Sequence, residues 1–218
     1  MIEQKQQHLS ISLELCDRAA SDSSFLGNAI TGDETWIYGY DPETRVQSSQ
    51  WKSPISPRAR QARQSRSDIK VMMIVFFDLD GIVRTEFVSR NTTGLLERLR
   101  NDVRRKRPEK WASGFILHHD NAPCHTSLLV RQFLLNKNIT VCPHPPYSPD
   151  LAPCDFCLFP IVKMTMKGKR FESIQDIEAA TTAPTEDTHE RVLPELLQKV
   201  ARTWYKCVRS EEEYFEGD

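Results

Sequence analysis

The sequence predicts an α/β fold in which a mixed sheet carries helices on its faces. Three observations lead there. Residues 70–77, KVMMIVFF, form a nearly unbroken apolar run, as expected of a central strand buried on both sides. Asp78-Leu79-Asp80-Gly81 reads as a hairpin turn, and residues 82–88 then alternate Val83, Thr85 and Phe87 against Arg84 and Glu86. Beyond the hairpin, short strand-like runs alternate with helical periodicities, giving the order β-β-β-α-β-α-β-α.

Taken in order, residues 3–20 read as a helix, with Leu9, Leu13 and Cys16 at helical spacing and Ile11 and Leu15 beside them. Asp22-Ser23-Ser24 ends it. Residues 30–40, rich in Thr, Trp, Ile and Tyr, read as the first strand, closed by Asp41-Pro42. Residues 41–68 have no apolar period and read as a long loop anchored by Trp51. Residues 93–107 form a basic helix with Leu95, Leu96, Leu99 and Val103 on one face. Residues 115–119 make a short strand that ends at Asp120. A helix over 127–136 follows, capped by Asn121 or Thr126. After a strand at 139–142, the run Pro143-His144-Pro145-Pro146-Tyr147-Ser148-Pro149 is a stiff extended loop. A helix over 155–167 starts at Asp155. Residues 173–181 and 195–208 close the chain as two separate helices.

A chain of 218 residues can bury a core of its own, and 39% apolar with 27% charged residues is a globular balance. No 18-residue apolar run exists, so no membrane helix is expected. The polar start points to a chain without a secretory leader, and six cysteines there suggest reduced thiols in cytosol or nucleus. Cys154 and Cys157 flank Asp155 as a C-x-x-C, but with no second such pair they read as core thiols rather than zinc ligands. The net charge of −1 conceals an uneven distribution. Residues 58–70 set Arg58, Arg60, Arg63, Arg66 and Lys70 against Asp68. Residues 98–110 set seven bases, Arg104, Arg105, Lys106 and Arg107 among them, against Asp102 and Glu109. Two basic patches on a near-neutral chain fit a polyanion partner, with a solvated helix face as the plainer alternative for each.

Three aspartates stand in three local contexts: Thr31-Gly32-Asp33-Glu34-Thr35-Trp36, His118-His119-Asp120-Asn121-Ala122-Pro123, and Ser148-Pro149-Asp150-Leu151-Ala152-Pro153-Cys154-Asp155-Phe156. Asp33 enters a strand, Asp120 closes one and Asp155 opens a helix, with 34 residues between the last two. Carboxylates gathered from separate elements suit hard Mg²⁺ or Mn²⁺, and two such ions can clamp both oxygens of a phosphodiester exchange. Glu34, next to Asp33 on a strand, points to the other face and is not counted as a ligand. Asp150 reads as loop chemistry. His118, His119 and His125 read as hydrogen-bonded structural groups, and Asn121 as a cap or a support for Asp120.

The order of elements and acids looks like the ribonuclease-H-like fold, a mixed sheet with helices on both faces. TGDETW, HHDNAPCHT and HPPYSPDLAPCDF, supported by YDPETR, VRRKRPE and GKRFES, resemble the catalytic domain of mariner-type DNA transposases over nearly the whole chain. The resemblance implies that Asp33, Asp120 and Asp155 bind two Mg²⁺ or Mn²⁺ ions for DNA cleavage followed by joining of the cut end to target DNA. It implies a helix and linker remnant at 1–28 and a catalytic domain at 29–218. It also makes residues 41–68 a clamp-like loop reaching a partner subunit of a homodimer. DNA would be the partner, with Arg58, Arg60, Arg63, Arg66, Arg104, Arg105, Lys106 and Arg107 as candidate contacts. The location would be nuclear, and the same basic run could serve as an import signal.

Two departures bear on these expectations. The family's N-terminal helix-turn-helix region has no counterpart in these residues, so sequence-specific end recognition is not expected of this polypeptide alone. Residues 89–94 are shorter than their family counterpart by about two helical turns, a loss of apolar cover that costs several kcal/mol of burial, an order-of-magnitude figure. Two functions of different class therefore stand side by side: a metal-dependent strand-cleaving and strand-transferring domain, and a non-catalytic DNA-associated dimerisation module derived from one. A ribonuclease-H-like hydrolase of hybrids is a third, against which the HPPYSPDLAP match speaks.

Overall fold

The computed structural model describes residues 2–44, 47–48, 64–88 and 94–209. Trp51, Arg58, Arg60 and Arg63 of the clamp-like loop lie outside the described residues, as do residues 89–93 of the shortened segment.

A five-stranded mixed sheet organises the chain, in the order β3-β2-β1-β4-β5. β1 (Ala29–Tyr38), β2 (Lys70–Asp78) and β3 (Gly81–Val88) form an antiparallel meander; β4 (Ile116–His118) and β5 (Thr140–Val141) add in parallel. The expected hairpin is present, with Gly81 at a φ of 122°, a left-handed value that favours glycine. β2 is an interior strand and is buried on both faces, as its apolar run predicts.

Helices cover both faces. α1 (Ile2–Ser21) is followed by the single turn α2 (Phe25–Asn28). α3 (Leu95–Lys106) and α4 (Pro108–Ser113) lie between β3 and β4; α5 (Pro123–Thr126) and α6 (Leu128–Asn136) lie between β4 and β5. α7 (Phe159–Met166) and α8 (Ile174–Arg209) close the chain. Strand alternation sorts the sheet's side chains into two cores. Ile37, Val71, Met73, Val75 and Phe77 pack with Leu15 of α1, Phe159 and Val162 of α7, and Ile177 and Trp204 of α8. Ile30, Ile74, Phe76 and Val83 pack with Leu99 and Val103 of α3 and Leu134 of α6. Each such fully buried side chain contributes roughly 1.5–3 kcal/mol.

The structure corrects four sequence expectations. The two closing helices are one continuous element, α8, which runs through Pro184 and Pro194. Proline is a local helix breaker, but α8 packs along α1 and α7, and tertiary packing outweighs local propensity. The helix at Asp155 begins as a π turn, Cys154–Leu158, and becomes α-helical only at Phe159; Pro160 has no amide with which to close an ordinary turn. A short 3₁₀ turn, Pro149–Leu151, interrupts the proline loop. Neither Asn121 nor Thr126 caps α6: Ser127 holds that position without a side-chain cap, while Asn121 donates its amide to the His144 carbonyl.

Candidate active site

β1 and β4 run parallel with Thr31 opposite His118. Two residues further along each chain stand Asp33 and Asp120, so the shared register carries both acids to the same end of the sheet. The Thr31 hydroxyl and His118 Nδ1 lie 3.3 Å apart beneath them, and His118 Nε2 is 3.2 Å from His144 Nδ1. Both histidines are buried. Burial, and then the neighbouring His144, pushes His118 down to about 3. Burial likewise pushes His144 down to about 4, against the pull of Asp120 and Asp150. This floor of the site is neutral at physiological pH.

The π turn brings the third acid to β1, where the charges of Asp155 and Asp33 act on one another. Burial is the largest influence on Asp33; together with Asp155, Glu34 and Asp120 it raises that carboxyl to about 7, against the Glu34 amide bonded to Asp33 Oδ1 at 2.7 Å. Asp155 is also raised, by burial first and by Asp120 as well, against the opposing charge of Lys163. Asp120 has partners of its own. Its Oδ1 accepts the Ala122 amide at 2.9 Å and lies 3.5 Å from His125 Nε2. Carboxylates are oxygen donors, the chemistry that suits a hard divalent cation, and among the described residues these three are not drawn into one group of donors within 4.8 Å. Two carboxyls raised by burial, Asp33 also by the charge of Asp155, are an arrangement that a cation would relieve.

Residues 33–178, more than half of the chain, match the DDE superfamily endonuclease family. The chain belongs to the DDE superfamily of endonucleases. Among curated proteins, this DDE-superfamily chain is 34% identical over 202 residues to the Mariner Mos1 transposase of Drosophila mauritiana, a match covering 88% of the chain. It spans 58% of that relative's length. Among solved structures, the Mos1 mariner paired end complex with Mn superposes with a TM-score of 0.87 at 31% identity, covering 98% of this chain and 64% of the other. The catalytic domain of Mos1 superposes with a TM-score of 0.79 at 28% identity over 99% of this chain and 97% of that one. The mariner resemblance read from the three motifs and the ribonuclease-H-like fold class are thus both borne out.

Sequence reasoning missed several neighbours of the three acids. Glu34 does face away from Asp33, yet its Oε2 bonds His125 Nε2 at 3.0 Å, and His125 in turn approaches Asp120. Burial alone lowers His125, but the Glu34 bond and the charges of Glu34, Asp120 and Asp33 leave it above the ordinary range. Glu34 and His125 are 91 positions apart, so no local pattern could pair them. Lys163 was also missed, although it follows Asp155 by eight residues, a helical spacing. Burial lowers Lys163, against the opposing pull of Asp155.

The basic candidates divide. Arg104 and Arg105 are exposed on α3, with Arg105 paired to Asp102 at 2.9 Å. Lys106 donates to the Val83 carbonyl at 2.6 Å. Arg107 is engaged by the fully buried Asp78 carboxylate at 2.8 Å, which also holds Lys110 at 2.5 Å. Arg66 is exposed, bonds Asp41 at 2.8 Å and lies over the Tyr38 ring. Asp150 is not a loop-surface group: it is buried against α1 and α8. Cys154 and Cys157 are core thiols. Among the described residues, no helix is long and apolar enough to cross a membrane.

Proposed function

We propose that this chain cleaves DNA strands and transfers the cut ends, with two Mg²⁺ or Mn²⁺ ions held by Asp33, Asp120 and Asp155. The observation that carries this reading is the β1–β4 register that brings Asp33 and Asp120 to one end of the sheet, where burial and the charge of Asp155 raise Asp33 to about 7. The reading is supported by solved Mos1 paired end complexes with Mn and with Mg, and by a solved Mos1 strand transfer complex.

Bound divalent ions supply charge neutralisation at the attacking and leaving oxygens of phosphoryl transfer. The chain's own residues do the positioning. The β1–β4 register fixes the height of Asp33 and Asp120, while the π turn delivers Asp155. The Ala122 amide and His125 hold Asp120 in place, and Glu34 holds His125. The neutral pair His118 and His144 adds no positive charge beneath the acids. On this reading residues 29–218 are the catalytic unit and 1–28 its flanking helix. Residues 41–68 clamp a second copy, Arg66, Arg104 and Arg105 contact phosphates, and the protein works in the nucleus.

The test is supercoiled plasmid incubated with the purified chain and Mn²⁺. Nicked circles are expected from the parent and none from Asp155→Ala, a loss of roughly a thousandfold or more. A folded parent that never nicks, yet binds DNA, overturns the catalytic reading in favour of a DNA-associated interaction module.

A further inference from the structure

A second cluster of metal-ligating side chains lies away from the three acids. His8 of α1, Asp150 of the 3₁₀ turn and Cys207 of α8 converge in the interior, each less than a tenth exposed. His8 Nε2 is 2.9 Å from Asp150 Oδ2, and the Cys207 thiol donates to the same oxygen at 3.3 Å. The three donor atoms all lie within 4.8 Å of one another, and among the described residues no other such group is found. The second carboxylate oxygen, Asp150 Oδ1, is buried and has no hydrogen-bond partner among the described residues.

We propose that His8, Asp150 and Cys207 bind one borderline transition-metal ion, Zn²⁺ by chemical class. The donor set argues for the class: imidazole and thiolate suit zinc and disfavour Mg²⁺ and Ca²⁺. The spacing argues for the geometry. Zinc with nitrogen or oxygen at about 2.0–2.1 Å and sulfur at about 2.3 Å, arranged tetrahedrally, sets neighbouring donors roughly 3.3–3.6 Å apart. The 2.9 and 3.3 Å separations reach that shape by an outward shift of a few tenths of an ångström. A water molecule completes the four-coordinate set and donates to Asp150 Oδ1, the oxygen of that carboxylate left without a partner among the described residues. A bare buried oxygen is costly, and an ion that brings this water offsets that cost.

Binding balances in protons: the ion enters, Cys207 gives up its thiol proton to solvent and coordinates as the thiolate, and His8 Nε2 gives up the proton it donates to Asp150, which passes to Nδ1 or to solvent, and coordinates as the neutral imidazole. The thiolate forms as the ion arrives, because a coordinating thiol must be deprotonated. The ion's role is structural. It joins α1 and α8 to the turn that stands five residues ahead of Asp155. The C-x-x-C at Cys154 and Cys157 offered the sequence-level hint of zinc, yet the converging ligands are 57 and 142 positions apart.

The probe is Co²⁺ titrated into chelator-stripped protein. One equivalent is expected to bind with a thiolate-to-cobalt charge-transfer absorption and tetrahedral d–d bands, displaced by Zn²⁺ and unmoved by excess Mg²⁺. Cys207→Ser removes the charge-transfer absorption. His8→Ala weakens binding by more than the roughly 10–100-fold that outer-shell losses cost. Cys16→Ser, a neighbouring thiol outside the triangle, leaves the spectrum intact. So does Asp155→Ala, which separates this site from the strand-cutting one. A folded parent without the thiolate absorption, or an absorption that survives Cys207→Ser, overturns the proposal. If Cys207→Ser does not fold, the parent decides: Zn²⁺ raises its Tm by several degrees, and no shift overturns the site.

Discussion

The two buried histidines and Asp33 make opposite demands on the folded chain as pH changes. His118 falls from 6.5 to about 3 on folding, chiefly through burial. Between those values the unfolded chain binds the proton that the folded one refuses, so stability is lost as pH falls through 6.5 and levels off near 3. Lowering the pH from 7 to 4.5 is expected to cost about 2 kcal/mol at this residue. Urea unfolding at the two pH values checks it: His118→Gln should show a shallower acid loss than the parent, whatever its stability at pH 7. Asp33 has the reverse sign. Its carboxyl rises from 3.8 to about 7 on folding, chiefly through burial and then Asp155. The folded chain therefore holds the proton more tightly, and stability falls as pH rises from 3.8 to about 7. Asp33→Asn is expected to match the parent near pH 4 and to exceed it at pH 8, by thermal unfolding without added metal. A parent as stable as the variant at pH 8 would show that the acid bears no burden there.

At the scale of elements, the site depends on β1 lying flat against β2. Gly32, between Thr31 and Asp33, pairs with Phe76 across the strands. A Cβ at Gly32 would sit 2.1 Å from Phe76 Cδ1, and the ring belongs to the packed core on that face. Gly32→Ala is expected to destabilise the fold by roughly 1–3 kcal/mol through overpacking. The same variant carrying Phe76→Leu should recover part of the loss in urea unfolding. The hairpin and β2 were legible in the sequence because an apolar run and Asp80-Gly81 are local signals. The family was legible because TGDETW, HHDNAPCHT and HPPYSPDLAPCDF are short local motifs. What stayed hidden depends on distance or on competing rules. The π turn follows from one missing proline amide, α8 survives two prolines because it is packed, and Glu34 reaches His125 only through the fold.

Across the whole molecule, a net charge of −1 leaves DNA binding to how the charges are placed. The run from residue 98 to 110 reads as one basic patch in the sequence, but the structure divides it. Arg107 and Lys110 spend their charge on Asp78, which is buried at the turn between β2 and β3, and Arg98 on Glu86. Arg104 and Arg105 remain exposed on the outer side of α3. Counterion release makes affinity fall with salt in proportion to the phosphates neutralised. Arg104→Ala and Arg105→Ala are each expected to reduce the slope of log affinity against log salt by about 1. Lys110→Ala should leave that slope unchanged and instead lower stability by about 1–3 kcal/mol, because Asp78 keeps Arg107 but loses its second buried partner. Fluorescence anisotropy on a short duplex across a salt series, with urea unfolding of the same variants, separates the two effects. A slope that falls with Lys110→Ala and not with Arg104→Ala would place the phosphates on the other side of α3 and move the DNA path across the hairpin.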